Sequence, residues 1–131
     1  MEELQIQTQA REEMITISDI LQNLIDEKGW EDGIIFLHCP HTTAALTINE
    51  GADPDVMRDI IVNMRSLVPL RGDYHHAEGN SDAHIKSSMF GCDQMVMIEK
   101  GLLQLGRWQK LFFCEFGGPR SRSLWVKFMR T

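Results

Sequence analysis

An α+β domain of packed, largely antiparallel or mixed β-sheets with two or three helices is the fold class this sequence predicts. Three observations lead there. Extended, β-forming segments outnumber amphipathic helical ones, and the two kinds do not alternate as they would in a chain of βαβ units. No glycine-, proline- or serine-rich linker or repeat interrupts the pattern. With 131 residues and 43% hydrophobic content, residues 1–131 fit one compact domain that buries about two-thirds of its unfolded surface.

Each element has a local reason. Leu4 to Ala10 alternates strictly, with Gln5, Gln7 and Gln9 on one face, and predicts a half-buried strand; Met14 to Ile17 is extended as well. Ser18 or Asp19 is placed to cap a helix whose Ile20, Leu21, Leu24 and Ile25 form one stripe and which ends at Gly29. Gly33 to His38 and Thr42 to Ile48 are strands separated by Cys39, Pro40 and His41. Asp53 before Pro54 reads as an N-cap with proline at the first helical position, and Val56, Ile60, Ile61 and Met64 supply that helix with a buried side ending before Pro69. After the polar segment Arg71 to Asn80, a short helix spans Ser81 to Met89. Met95 to Glu99, Gln109 to Phe116 and Ser123 to Met129 complete the strands.

Composition excludes several classes. No stretch approaches the roughly 18 apolar residues of a membrane span, and the N-terminus is polar, so a soluble, cytoplasmic protein is expected. Cys39, Cys92 and Cys114 are odd in number and far apart, which predicts buried reduced thiols and neither a disulfide framework nor a thiolate zinc site. A net charge of -6 disfavours nucleic acid as a partner, because phosphate neutralisation needs a basic face.

The chemistry-bearing residues fall in three clusters. In the first, a β-forming run opens with the imidazole of His41 and closes with the amide of Asn49 and the carboxylate of Glu50, so it reads as a site wall. Glu50 is a candidate to orient an imidazole or to take a proton. The second runs from Tyr74 to Ser88. Asn80 is expected to cap the helix and lies with His84 and Ser88 along one side, and the helix N-terminus, with Lys86 as counter-charge, suits a phosphate or carboxylate. His41, His76 and His84 are candidate ligands for a divalent metal, although their spacing matches no compact motif and only folding could bring them together. His38 is read as structural and His75 as solvated. In the third cluster, Gly117 and Gly118 allow a sharp turn or close approach to a ligand, and Arg120 and Arg122 offer guanidinium forks for phosphate. Trp108 reads as core.

Taken together, His41-Thr-Thr-Ala-Ala-Leu46, Asn49-Glu50, Asp53, Tyr74-x-His76, Gly79-Asn80, Ala83-His84-Ile-Lys86, Gly101, Leu105-Gly106, Trp108-Gln109, Glu115 and Gly118-Pro-Arg120 resemble the YjbQ-like family, also described as secondary thiamine-phosphate synthases. The resemblance spans nearly the whole chain. It implies a small α+β fold, a homotrimer with sites near subunit boundaries, and a weak thiamine-phosphate synthase activity joining a pyrimidine methyl diphosphate to a thiazole phosphate. By motif match the site falls on His41, Asn49, Glu50, His76, Asn80, His84 and Arg120. The expected substrate is a phosphorylated small molecule. Zinc on the histidines or magnesium on the carboxylates would offset the diphosphate charge. A metal-dependent hydrolase of a phosphorylated or polar small molecule, and a non-enzymatic anion- or metal-binding protein, are the competing classes.

Overall fold

The computed structural model describes residues Met1–Thr131. Its elements are β1 Glu2–Gln7, β2 Glu13–Thr16, α1 Ser18–Lys28, β3 Gly33–His38, β4 Ala44–Glu50, α2 Pro54–Leu67, α3 Ser81–Phe90, β5 Asp93–Glu99, β6 Leu102–Leu103, β7 Gln109–Glu115 and β8 Ser121–Arg130. Two sheets result, one of five strands in the order β1-β8-β3-β5-β6 and one of three in the order β2-β7-β4. Every strand pair is antiparallel, and three helices are present, in agreement with the predicted class.

The sheets pack face to face. Ile6, Ile35, Leu37, Val96, Ile98, Leu124 and Val126 from the larger sheet meet Ala44, Leu46, Leu111 and Phe113 from the smaller, while Leu21, Leu24 and Ile25 of α1 join the same cluster. Each such fully buried aliphatic side chain contributes about 1.5 to 3 kcal/mol of transfer free energy. The alternate residues of the smaller sheet, Ala45, Phe112 and Cys114, together with Phe116 just past β7, pack on Ala83 of α3, with Met57 of α2 and Phe90 at the rim. The smaller sheet is therefore covered on both faces, which explains the unbroken apolar run Leu111 to Cys114 in β7.

Local signals behaved unevenly. Gly29 closes α1 in the left-handed region at φ 65, as expected, but the N-cap is Ile17, not Ser18 or Asp19. Ser18 is the first helical residue, and its hydroxyl accepts from the Leu111 amide at 2.9 Å, tying α1 to β7. Ile20 is exposed. Asp53 caps α2 by accepting from the Asp55 amide at 2.9 Å, with Pro54 at the first position. Yet no residue of α2 is fully buried: Val56, Ile60, Ile61 and Met64 stay half-covered, because α2 lies on the rim of the smaller sheet. Trp108 is not core but 56% exposed, with the Arg107 guanidinium over its ring at 4.7 Å.

Candidate functional site

His41 is held in the short link between β3 and β4. The Cys39 amide donates to the Cys92 carbonyl at 2.8 Å, and the Phe116 amide to the Thr43 carbonyl at 3.1 Å, so the link is pinned on both sides. The ring reaches β8, where its Nε2 accepts from the Ser123 amide at 2.9 Å. That acceptor role fixes a neutral imidazole carrying its proton on Nδ1. Burial, aided by the nearby Arg122 and Arg120 charges, holds the His41 pKa below its usual value.

α3 brings the second histidine to the same place. Ala83 and Ser87 face the smaller sheet, where the Ser87 hydroxyl donates to the Ala44 carbonyl at 2.6 Å, and this turns His84 and Ser88 outward. His41, Thr42, His84, Ser87, Ser88, Gly91 and Cys92 line one cavity of about 360 Å³. His84 also borders a second cavity, of about 370 Å³, with Tyr74, His76, Ser81 and Ile85. The His76 and His84 rings meet edge to face with centroids 5.2 Å apart. The structure thus gathers His41, His84 and His76 along one surface, with His84 between the other two.

Other expected residues are placed differently. Lys86 does not offer its ammonium to a ligand: it is buried, donating to Asp82 at 3.1 Å and Glu12 at 3.3 Å, with Arg11 completing a bidentate pair to Asp82. Burial pushes the Asp82 carboxyl up, but the hydrogen bonds from Arg11 and Lys86 outweigh it and hold the group below its ordinary range. Arg122 is likewise internal, binding Glu115 and the Thr43 hydroxyl, the latter at 2.9 Å. Gly118 serves packing: a Cβ there would stand 2.7 Å from the Ala10 carbonyl and the Glu115 side chain. Arg120 remains exposed, and its side chain takes no partner within the chain while its charge acts on His41.

Asn80 precedes α3 without capping it, and its Oδ1 is a buried acceptor with no partner. An acceptor in that state suits an N–H or O–H of a ligand better than a bare phosphate oxygen. Asn49 and Glu50 are separated from His41 by the length of β4, roughly 20 Å at the usual rise per residue. There the Asn49 side chain accepts from the Glu50 amide and the Glu50 carboxylate from the Ala52 amide. One chain therefore splits the anticipated wall into two ends. Cys92 at the cavity was not anticipated as a site residue, and it is half-buried where a buried thiol was expected. Its one sequence signal is its place directly after Gly91, the glycine that ends α3.

A family model described as UPF0047 protein YjbQ-like matches residues 2–131. The chain belongs to the YjbQ/UPF0047 family. Within it, the chain is 50% identical over 123 residues to a UPF0047 protein of Methanocaldococcus jannaschii, covering 94% of this chain and 89% of that protein. It is 46% identical over 127 residues to the UPF0047 protein YugU of Bacillus subtilis, covering 96% of each. A crystal structure from Clostridium acetobutylicum, described as an uncharacterized conserved protein of the family, superposes with a TM-score of 0.95 at 48% identity, covering 98% of this chain and all of that one. A conserved hypothetical protein of Thermus thermophilus gives 0.92 at 38% identity, with coverage of 98% and 100%. No helix of the chain is long and apolar enough to cross a membrane.

Proposed function

We propose that this YjbQ/UPF0047 chain is a cytoplasmic small-molecule enzyme acting on a phosphorylated substrate, with thiamine-phosphate synthase-like transfer as its reaction. The observation that carries the reading is the meeting of His41 and His84 at one cavity, with His76 packed against His84 and the unpaired Arg120 close enough to act on His41. In the transfer, the thiazole nitrogen bonds to the pyrimidine methylene carbon while the C–O bond to diphosphate breaks and diphosphate leaves with the electron pair. Positioning two phosphorylated reactants and stabilising the departing charge are the main requirements. His84 and His76 would donate to the leaving diphosphate, Arg120 would hold a phosphate through its guanidinium fork, and the Nδ1–H of His41 would fix a substrate oxygen.

A metal on these three histidines fits poorly within one chain. The Nε2 of His41 is occupied by Ser123, and the remaining pair falls short of the three protein donors that a catalytic zinc site takes. Magnesium would need the Glu50 carboxylate, which lies at the far end of β4. The roles above are therefore assigned to the side chains themselves.

Glu50 and Asn49 act in this reading through a homotrimer, each serving a neighbour's cavity. Two features support association: β4 is an edge strand of its sheet, and the adjoining apolar side of α2 is only half-covered. The test is product formation from pyrimidine methyl diphosphate and thiazole phosphate. His41→Ala and Glu50→Gln should each be inactive alone and regain part of the activity when unfolded and refolded together, since mixed trimers rebuild intact sites. Inactive wild type would end the synthase reading. If phosphate were released from a panel of phosphate esters instead, hydrolysis would replace it, and stoichiometric binding without turnover would leave an anion-binding protein.

A further inference from the structure

We propose that His38, Cys92 and Asp93 form a binding site for one divalent cation of the zinc class, distinct from the His41, His76 and His84 group. The site rests on other residues than the proposed function does and stands or falls independently of it. His38 ends β3 and Asp93 begins β5, and the two are direct cross-strand partners. Their side chains touch through Nδ1 of His38 and a carboxylate oxygen of Asp93. The preceding residue, Cys92, is anchored by the bond from the Cys39 amide to its carbonyl. One ligand atom from each of the three lies within 4.8 Å of the others.

A solvated ion pair would account for His38 and Asp93, but not for the thiol gathered with them. Sulfur, imidazole nitrogen and carboxylate oxygen are the donor types that zinc accepts together, and tetrahedral bond lengths set such donors roughly 3.3 to 3.7 Å apart. A bound ion would part the His38 and Asp93 atoms and draw in the Cys92 sulfur, small motions that the partial exposure of His38 and Asp93 leaves room for. Trp125 lies against the other side of the His38 ring, with centroids 5.5 Å apart, and limits its swing. Three protein donors leave a fourth position open, and Cys92 is also part of the wall of the cavity shared by His41 and His84. A cation there would stand at the rim of that cavity, able to take a water or an anionic group of whatever binds in it.

The experiment is a cobalt titration of chelator-treated, untagged protein under a phosphine reductant, followed by zinc competition and calorimetry. The expected result is one cobalt per chain with a thiolate-to-cobalt charge-transfer band and tetrahedral visible bands, both displaced by zinc. Cys92→Ser should abolish the charge-transfer band, and Asp93→Asn and His38→Gln should each weaken zinc at least tenfold, as loss of a ligand does. His76→Ala and His84→Ala should leave the titration unchanged. Absence of the band in folded wild type, an unaltered titration in Cys92→Ser, or loss of binding in His84→Ala would each overturn the proposal. Asp93 is exposed, so its variant keeps the test valid if Cys92→Ser does not fold.

Discussion

The two faces of α3 show what a tertiary setting does to similar side chains. On the inner face Asp82 and Lys86 are fully buried and completely paired, with Arg11 and Glu12 supplying the remaining partners and Arg65 of α2 reaching Glu12 at 3.5 Å. On the outer face His84 and Ser88 border an open cavity, and their ring and hydroxyl make no bond that ties them to the core. Polar groups of the first kind hold the helix in place; those of the second are free to meet a ligand. The lesson is that a charged residue in a chemically rich segment is as well suited to building the scaffold as to using it.

The sharpest way to break this division is Lys86→Ala. It leaves the Asp82 and Glu12 carboxylates buried without their ammonium, and breaking a buried pair costs about 3 to 5 kcal/mol. Urea denaturation reads this directly, and an unchanged midpoint would show that the inner network contributes nothing. His84→Ala should do the reverse: turnover falls about a hundredfold or more, as for loss of a proton-transfer or charge-stabilising group, while unfolding free energy moves by less than about 0.5 kcal/mol. A large loss of stability there would place His84 with the scaffold.

Asn80→Ala sharpens the boundary between the faces. A capping asparagine costs about 1 kcal/mol when removed, but Asn80 makes no cap bond and leaves an acceptor unpaired, so the change should stay within about 0.5 kcal/mol. Measured weakening of substrate binding without a drop in melting temperature would put the amide in the site.

The smallest effect is in pH. His41 has a folded pKa below its ordinary 6.5, so the folded state favours the neutral ring; its contribution is present above 6.5 and is lost as pH falls from there through the folded value. Asp82 is also lowered, from an ordinary 3.8, so its contribution persists to more acid conditions and is lost as pH falls through its own folded value. Melting temperature against pH should therefore decline in two steps. His41→Gln should remove the upper one, and identical profiles for wild type and variant just below 6.5 would refute the assignment.

Much of the frame could be read from the chain, because short-range rules decide it. The span of β3, the capping of α2 by Asp53 with Pro54, and the Gly29 end of α1 follow from backbone sterics and side-chain to backbone bonds a few residues apart. The two missed caps have different causes: the Ser18 hydroxyl is drawn off by the distant Leu111 amide, whereas the Asn80 oxygen is buried with no partner at all. Lys86 has one acid partner a turn away in its own helix, Asp82, but its second, Glu12, and the Glu115 that binds Arg122 come from other segments, and burial closes both cations to a ligand.

By itself the sequence determined the α+β class, the family, and which residue types are available for chemistry, all properties carried by periodicity, local propensity and motif order. Tertiary structure alone decided that His41, His84 and His76 share a surface, that Glu50 and Asn49 stand a strand's length away, and that Lys86 and Arg122 are spent inside. The physical reason is that burial and pairing depend on groups far apart in sequence. A cation's free energy in a fold is set by whether a carboxylate or water surrounds it, and only the packed sheets and α3 establish which.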